Sequence, residues 1–146
     1  MAADRMQSIV DVHVLLVNEH DECLFMRRAN TGYKDGQYSL VAGHLEPDET
    51  IKACAIREAA EEVGVLIDTK DLVLSGVMRR DAGQNRISFF LTCRRWQGQI
   101  TNNEPEKCDD LMWRLFSNLP AQTVDYVQEA IKSISKGEIL TDFVPD

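Results

Sequence analysis

The chain has 146 residues, of which 44% are hydrophobic, so it is long enough to bury a sizeable core as one domain over residues 1–146. Its formal net charge of −8 argues against a general nucleic-acid binder, because such proteins present a basic face to the phosphate backbone. The four cysteines have neither the paired spacing of a zinc site nor the density of a disulfide scaffold, and no run of roughly 18 apolar residues could span a bilayer.

The N-terminal end of the sequence has no basic start followed by an apolar run. We therefore expect a cytoplasmic protein with free thiols, no membrane association and no stable nucleic-acid binding. Residues 9–17 alternate and then become wholly apolar, which predicts a buried strand, and residues 18–21 have the composition of a turn. With residues 22–27 as a second strand, this segment is predicted to be a hairpin.

A polar loop is predicted over residues 29–37, which include two glycines, and residues 38–41 are predicted to be a short strand that leads into a turn at Gly43. Pro47 and Asp48 favour a helix start after that turn, because proline needs no hydrogen-bond partner there and an acid suits the positive end of the helix.

Residues 49–63 are predicted to form that helix, and Gly64 suits a left-handed stop after its last turn. Within a helix, Glu58, Glu61 and Glu62 would fall within an arc of about 100°. The opposite side of the predicted helix carries small and apolar residues, namely Ala53, Ile56, Ala59, Ala60 and Val63.

Beyond the helix, residues 72–80 and 86–95 are predicted to be strands joined by a polar turn, and residues 111–116 a further strand. Residues 123–135 have the periodicity of a second amphipathic helix. The tail after Gly137 is expected to pack on the surface or to fray.

The three clustered glutamates are the most informative feature of the chain. Like charges on adjacent helical turns repel, and Arg57 is well spaced to pair only with Glu61. Hard divalent cations prefer such oxygen ligands, and Mg²⁺ combines a few carboxylates with substrate phosphate oxygens. The glutamates therefore indicate a metal–phosphate site, whereas taken alone they could also form an ordinary solvated helix face.

The surrounding pattern resembles the Nudix box, Gly-x5-Glu-x7-Arg-Glu-hydrophobic-x-Glu-Glu-x-Gly-hydrophobic. Its fixed positions are all occupied, with Ala59 as a small version of the apolar residue, by Gly43, Glu49, Arg57, Glu58, Glu61, Glu62, Gly64 and Val65. The resemblance implies an α/β fold of the α+β kind, a Nudix-type α/β/α sandwich with a central mixed sheet, to which the predicted order of elements also conforms.

The same resemblance implies roles for the residues of the box. Glu58, Glu61 and Glu62 would hold the divalent ion, Mg²⁺ or Mn²⁺ as a substitute, with Glu61 also assigned to catalysis. Gly43 would let a backbone carbonyl approach the metal, although Ala42 departs from a second glycine that many relatives carry. Glu49 would accept from metal-bound water, and Arg57 would orient a neighbouring carboxylate as part of the catalytic group.

Outside the box the resemblance implies a general base about forty residues further on, where Glu104 fits and Glu106 is the alternative. For substrate binding it suggests Arg28 on phosphate and Gln122 on a base edge. Asp109, with its neighbour Asp110, resembles an acidic pair used for base recognition.

The resemblance implies an enzyme, a Nudix phosphoanhydride hydrolase that acts on a small-molecule nucleotide. We favour hydrolysis of a nucleoside triphosphate, including oxidised purine forms, to a monophosphate and pyrophosphate. A hydrolase of dinucleoside polyphosphates or nucleoside diphosphate sugars and a non-catalytic nucleotide-sensing module stay open. So does the oligomeric state, as monomer or homodimer.

Overall fold

The computed structural model describes residues 4–144. Its two α-helices are α1 (Ile51–Val63) and α2 (Asp125–Ser135), and a 3-10 turn, Thr69–Asp71, precedes the fifth strand. The strands are β1 (Ile9–Leu16), β2 (Glu22–Arg28), β3 (Tyr38–Ser39), β4 (Val41–His44), β5 (Leu72–Asp81), β6 (Asn85–Cys93), β7 (Cys108–Leu115) and β8 (Leu140–Phe143).

The strands form two sheets. The larger sheet has the order β4-β1-β6-β5-β8 and is mixed, since β1 runs parallel to β6 and β5 parallel to β8 while the other neighbours are antiparallel. The smaller sheet has the order β3-β2-β7 and is antiparallel. The predicted mixed central sheet is therefore confirmed, and the second sheet is an addition that the sequence did not reveal.

The two helices cover opposite faces of the larger sheet. Val12 and Val14 of β1 pack in one core cluster with α1, whereas Leu15 of the same strand packs in a second cluster with α2. A strand covered on both sides is apolar on both, which explains the continuous apolar run at the end of β1. The arrangement confirms the predicted α/β/α sandwich. Within residues 4–144, no helix has the length and apolar composition needed to cross a membrane.

Helix α1 begins two residues later than predicted. The Thr50 side chain accepts a hydrogen bond from the Ala53 amide, which makes Thr50 the N-cap, and Asp48 has a φ of 65° that no helical residue adopts. The helix ends as predicted at Gly64, whose φ of 73° is left-handed and whose amide donates to the Ala60 carbonyl.

The prediction that the helix glutamates lie opposite its apolar side was wrong. The buried residues of α1 are Cys54, Ala55, Ala59 and Val63, while Ala53 and Ala60 are exposed. Position 58 falls one turn after Cys54 and Ala55, and position 62 falls one turn after the buried Ala59, so Glu58 and Glu62 border the buried stripe. They therefore face strand β4 and are only partly exposed, and the most exposed member of the trio is Glu61, whose side chain is 54% exposed.

Other predicted elements differ in detail. Strands β1 and β2 were predicted to be a hairpin, but past the turn they share only the isolated bridge between Val17 and Cys23, and then diverge into different sheets. Helix α2 starts at Asp125 rather than at residue 123. The tail does more than pack loosely, because residues 140–143 form the parallel edge strand β8.

Candidate active site

A cleft of about 730 Å³ opens where both sheets meet α1. Its walls come from strands β1, β2, β4, β5 and β6, from the loop after β2, from helix α1 and from the loop before β7. Apart from Asp11, which lies among the arginines, its acidic and basic side chains form two groups. The acidic part consists of Glu58, Glu61, Glu62 and Glu104, and the basic part includes Arg28, Arg80, Arg86 and Lys107.

The acidic part is assembled by hydrogen bonds between α1 and the loop that precedes β7. The amides of Thr101 and Asn103 donate to the carbonyls of Val63 and Glu62, each at 3.0 Å. These are carbonyls of the last helical turn, which lack partners inside the helix. The loop is thereby fixed against the end of α1, and its next residue, Glu104, is brought towards the Glu62 carboxylate.

The Glu62 carboxyl group is buried beside two other carboxylates. Burial raises its pKa well above the ordinary value, and contact with the Glu58 carboxylate and the nearby charge of Glu104 raise it further. A hydrogen bond from the Ala42 amide opposes the shift but is outweighed by burial and the neighbouring carboxylates. Three carboxylates thus converge, and burial together with the two neighbouring carboxylates disfavours the ionised form of Glu62.

Gly43 creates the space for this convergence. A Cβ atom at position 43 would overlap the carboxylate of Glu58, so any other residue at this point of β4 would displace that side chain. The sequence predicted that the missing side chain lets a carbonyl approach a ligand. The structure adds that it lets Glu58 approach the strand, where its side chain is 13% exposed.

Arg57 fixes the glutamates on the outer side of the site. Its Nε donates to Glu49 Oε2 at 2.7 Å and its Nη2 to Glu49 Oε1 at 3.0 Å, a bidentate pair. Its Nη1 donates to Glu58 Oε1 at 2.7 Å and lies 3.4 Å from Glu61. Hydrogen bonding to Arg57 lowers the pKa of Glu49 to about 2, and the same contacts raise the pKa of Arg57.

The acidic part fits a divalent cation by its chemistry. Its side chains offer only carboxylate oxygens, and Glu62 is buried beside two other carboxylates, Glu58 and Glu104. In the part of the chain that the structure describes, no three His, Cys, Asp or Glu side chains have ready-made metal-ligand spacing. Arg57 Nη1 donates to Glu58 Oε1 at 2.7 Å, so a cation held by Glu58 and Glu62 would share the Glu58 carboxylate with Arg57.

The floor of the cleft is formed by buried polar residues of β1, β5 and β6. Asp11 Oδ2 accepts from Arg80 Nη2 at 3.2 Å and from Arg86 Nη1 at 3.3 Å. His13 Nε2 lies 2.9 Å from the Tyr126 hydroxyl, and its Nδ1 lies 3.3 Å from Asp11 Oδ1. Burial lowers the pKa of His13 to about 4, so its ring is neutral at pH 7.

The rim of the cleft is the loop after β2. Arg28 Nε donates to the Tyr33 carbonyl at 2.7 Å, and its Nη2 donates to Thr31 Oγ1 at 3.2 Å. Asp35 accepts hydrogen bonds from the amides of Thr31 and Gly32, which closes the loop on itself. Arg28 is thus held at the cleft edge by its own loop.

The structure brings together most of the residues that the sequence proposed for the site. The cleft walls include Arg28, Gly43, Glu58, Glu61, Glu62 and Glu104. Glu49 and Arg57 lie behind them as the bidentate pair. Glu106, the alternative to Glu104, is exposed and is not part of the cleft wall.

Two proposed substrate residues lie away from the cleft wall. Asp109 is paired at 2.6 Å with Arg27, so it reaches the cleft only through that arginine. Gln122 has an exposed side chain, and its carbonyl accepts from the Tyr38 amide at 2.7 Å. Asp110 accepts a hydrogen bond from the Tyr38 hydroxyl, which raises the pKa of that tyrosine.

Sequence reasoning missed the floor of the cleft. Asp11 and His13 are polar residues in an otherwise apolar strand, which was the available signal, because a buried polar group needs a partner. Arg80 and Arg86 flank a turn and have the sequence of solvated strand ends. Only the pairing of β5 with β6, in which they are direct partners, reveals that they share Asp11.

Known proteins resemble this chain in sequence and in fold. The NAD-capped RNA hydrolase NudC of Stutzerimonas stutzeri is 32% identical over 108 residues, which are 74% of this chain and 37% of that protein. The NudC protein of Photobacterium profundum is 28% identical over 74% of this chain and 38% of its own length. The chain therefore spans a little over a third of the length of these two relatives.

Solved structures share the fold at lower identity. A MutT NUDIX hydrolase from Burkholderia pseudomallei has a TM-score of 0.77 at 20% identity, over 86% of this chain and 97% of that one. A MutT protein from Methanosarcina mazei Go1 has a TM-score of 0.78 at 19% identity, over 90% and 96%. The sequence profile of the NUDIX domain matches residues 8–134. The chain belongs to the NUDIX domain family, the Nudix hydrolase family that its glutamate motif predicted.

Proposed function

We propose that this protein hydrolyses a phosphoanhydride bond in a nucleotide with the help of a divalent cation, Mg²⁺ or Mn²⁺. The observation that carries the proposal is the convergence of Glu58, Glu62 and Glu104, whose mutual repulsion and burial raise the pKa of Glu62. An isolated carboxylate cluster of this kind is unfavourable, and a cation together with a polyphosphate would neutralise it.

Glu58 and Glu62 would hold the cation, with Glu61 and the Gly43 carbonyl as further oxygen ligands. When bound, the cation stabilises charge on the phosphate oxygens and acidifies the attacking water. Arg57 would set the positions of Glu49 and Glu58 through its hydrogen bonds. Glu49, whose pKa is lowered to about 2, stays ionised and can accept a hydrogen bond from ordered water.

In the proposed reaction a water oxygen forms a bond to phosphorus while the bond from phosphorus to the bridging oxygen breaks. The water proton passes to a carboxylate, which we assign to Glu104 because that side chain lies in the cleft wall near Glu62 and Glu106 does not. The bridging oxygen leaves with the electron pair of the broken bond, as part of the released phosphate or pyrophosphate. Catalysis of this type depends on positioning and on charge more than on covalent intermediates.

The substrate we favour is a nucleoside triphosphate, cleaved to a monophosphate and pyrophosphate. Arg28 supports this choice, since it is fixed at the cleft edge and a guanidinium binds phosphate in a bidentate way. Gln122 and Asp109 are weaker candidates for base recognition, because neither side chain is part of the cleft wall. Oxidised purine nucleotides, nucleoside diphosphate sugars and dinucleoside polyphosphates share the linkage that this site would attack.

A second candidate is the diphosphate linkage of NAD. It is favoured by one observation, the 32% identity to a protein whose name describes hydrolysis of NAD-capped RNA. Because the net charge of this chain is −8, we expect it to act on the small dinucleotide rather than to bind RNA stably. A non-catalytic nucleotide-sensing module is the remaining alternative, and the complete set of carboxylates argues against it.

The deciding experiment is a substrate panel ranked by kcat/KM. It should contain the nucleoside triphosphates, their 8-oxo purine forms, NAD, dinucleoside polyphosphates and sugar nucleotides, with Mg²⁺, with Mn²⁺ and with chelator. We expect cation-dependent turnover and the highest kcat/KM for a triphosphate. Highest kcat/KM for NAD would favour the second candidate, and tight nucleotide binding without turnover would establish a sensing module.

A further inference from the structure

The floor of the cleft contains a second charged cluster, which has more positive than negative groups. Arg80 on β5 and Arg86 on β6 are direct cross-strand partners, a position at which like charges repel. Both donate to the same oxygen of Asp11, at 3.2 and 3.3 Å. We call Arg80, Arg86 and Asp11 the arginine floor.

Burial makes this arrangement costly. The Arg80 side chain is 5% exposed and that of Asp11 is 6% exposed, so water screens their charges weakly. Arg80 Nε donates to Ser88 at 3.0 Å, and the guanidinium lies 3.6 Å from the centre of the Tyr126 ring. Among residues 4–144, no acceptor is bound to Arg80 Nη1, although Arg80 belongs to the cleft wall.

The charges of the floor do not cancel. His13 is neutral at pH 7 because burial lowers its pKa to about 4, and Tyr126 is neutral because burial raises its pKa to about 12. Two guanidinium groups therefore face a single carboxylate, which leaves one positive charge. The His44 ring also contacts the floor, since its Nε2 lies 3.2 Å from Arg86 Nη1.

A planar guanidinium held by Asp11, Ser88 and an aromatic ring cannot rotate freely, so its remaining donors point in a fixed direction. Guanidinium donors of this kind match the oxygens of a phosphoryl group in a bidentate way. The ligand would be anionic and rich in oxygen, and it would neutralise the positive charge that Asp11 alone does not neutralise.

We propose that Arg80 and Arg86 form a second anion-binding subsite, which takes a phosphoryl group of the substrate that lies outside the hydrolysed linkage. The role within catalysis rests on the proposed function, whereas anion binding by the floor does not. His44 joins the two regions, because its ring contacts Arg86 and its carbonyl accepts from Arg57 at 3.2 Å. One polyphosphorylated molecule could therefore occupy both.

Inorganic phosphate is the direct probe of the subsite. It would be titrated into the full chain with chelator present, and binding followed by the backbone NMR signals of Ser88 and Tyr126. The variants are Arg80→Lys, which keeps the charge but loses the planar fork, and Arg86→Gln. Arg95→Gln is the matched control, because Arg95 is exposed and is not part of the cleft wall.

We expect phosphate affinity to fall about ten- to a hundredfold in both floor variants, the effect of losing charge-assisted hydrogen bonds, and to be unchanged in Arg95→Gln. Equal phosphate affinity in the wild type and both variants would overturn the proposal. So would phosphate shifts that leave the Ser88 and Tyr126 signals in place. The thermal unfolding midpoint of each variant checks that it is folded.

The kinetic test uses substrate pairs that differ by one phosphoryl group. NADPH is compared with NADH, and a nucleoside triphosphate with its diphosphate, by the ratio of kcat/KM values. We expect kcat/KM to be higher for the substrate with the extra phosphoryl group in at least one pair. In Arg86→Gln that ratio should fall towards one. The responding pair identifies the source, a ribose phosphate or a terminal phosphate. Ratios unchanged in both variants would overturn the subsite, whereas phosphate binding without any turnover would support it and overturn the proposed function.

Discussion

The most direct test of the acidic part is the replacement Glu62→Gln. The side chain keeps its size and its hydrogen-bonding capacity but loses the charge that burial and Glu58 disfavour. In the absence of a cation, the wild-type protein must either protonate Glu62 or bear the repulsion between two touching carboxylates. The variant has neither cost, so it should be more stable than the wild type in chelator and less active with a cation.

The sign of the pH dependence follows from the raised pKa of Glu62. A carboxyl whose folded pKa is raised contributes full stability below its unfolded value of 4.5, and this contribution is lost as the pH rises through the folded pKa. At pH 8 relief of the repulsion should stabilise Glu62→Gln by about 1 kcal/mol or more, a rise of about 2–4 °C in the thermal midpoint. Near pH 4 the difference should vanish.

With a cation present the order should reverse. At a concentration of 100 times its Kd, a cation that binds only the folded state stabilises the wild type by about 2.7 kcal/mol, and the variant should lose most of that gain. Turnover should fall about a hundredfold or more, as expected for losing one charged group at a phosphoryl-transfer site.

Thermal unfolding at pH 4 and pH 8, with Mg²⁺ and with chelator, measures the first effect, and steady-state kinetics measures the second. Glu138→Gln is the control, since it removes the same charge from an exposed position outside the cleft. Near-normal turnover in Glu62→Gln would refute its assignment as a ligand. A midpoint equal to or below that of the wild type in chelator at pH 8 would refute the claim of repulsion.

Three further predictions concern the neighbours of Glu62. Glu104→Gln should lower kcat about a hundredfold or more and alter the acidic limb of the pH–rate profile, whereas Glu106→Gln should leave both unchanged; the reverse result would move the base to Glu106. Gly43→Ala should displace the Glu58 carboxylate, which is the flexible end of its side chain, and so reduce kcat/KM about a hundredfold with little change in the thermal midpoint. A large loss of stability would instead place the clash in the backbone. Glu49, with its pKa lowered to about 2, stabilises the fold above pH 4.5, and this contribution is lost as the pH falls towards 2; denaturant unfolding of Glu49→Gln should therefore show a weaker dependence over that range than the wild type.

The sequence predicted the motif-bearing part of the fold well because local signals determine it. The spacing from Gly43 to Val65 indicated the family, and Gly64 marked the end of the helix. The start of the helix was misplaced because Pro47 and Asp48 resemble a helix start, whereas Thr50 supplies the cap. Such boundaries depend on single hydrogen bonds, which composition does not reveal.

The orientation of the helix could not be obtained in the same way. Helical spacing places Glu58, Glu61 and Glu62 near one another, but it does not say which flank of that arc faces the sheet. The answer depends on Cys54 and Ala55, which pack against β1 and β4, and so turn Glu58 and Glu62 inward. Small size at Ala53 and Ala60 suggested burial and was misleading, because a small residue fits either side of a helix.

The arginine floor depends on contacts between distant parts of the chain, and therefore no local pattern predicts it. Asp11 reaches Arg80 and Arg86 because β1 pairs with β6 in parallel and β6 pairs with β5, so the three residues come from strands far apart in sequence. What the sequence did contain was a polar pair, Asp11 and His13, within a buried strand. A polar residue at a core position is a local conflict, and such conflicts concentrate at functional sites.

The glutamates and the arginine floor are two charged clusters of opposite sign, and both line one cleft. Burial and the neighbouring carboxylates raise the pKa of Glu62, while the arginine floor holds two cations against one carboxylate. Each would be relieved by a ligand group of the opposite charge. A ligand that relieves both must therefore combine a cation with a polyanion. A divalent ion bound to a nucleotide that carries more than the hydrolysed phosphates has this charge pattern, whereas a free metal ion or a neutral nucleoside does not.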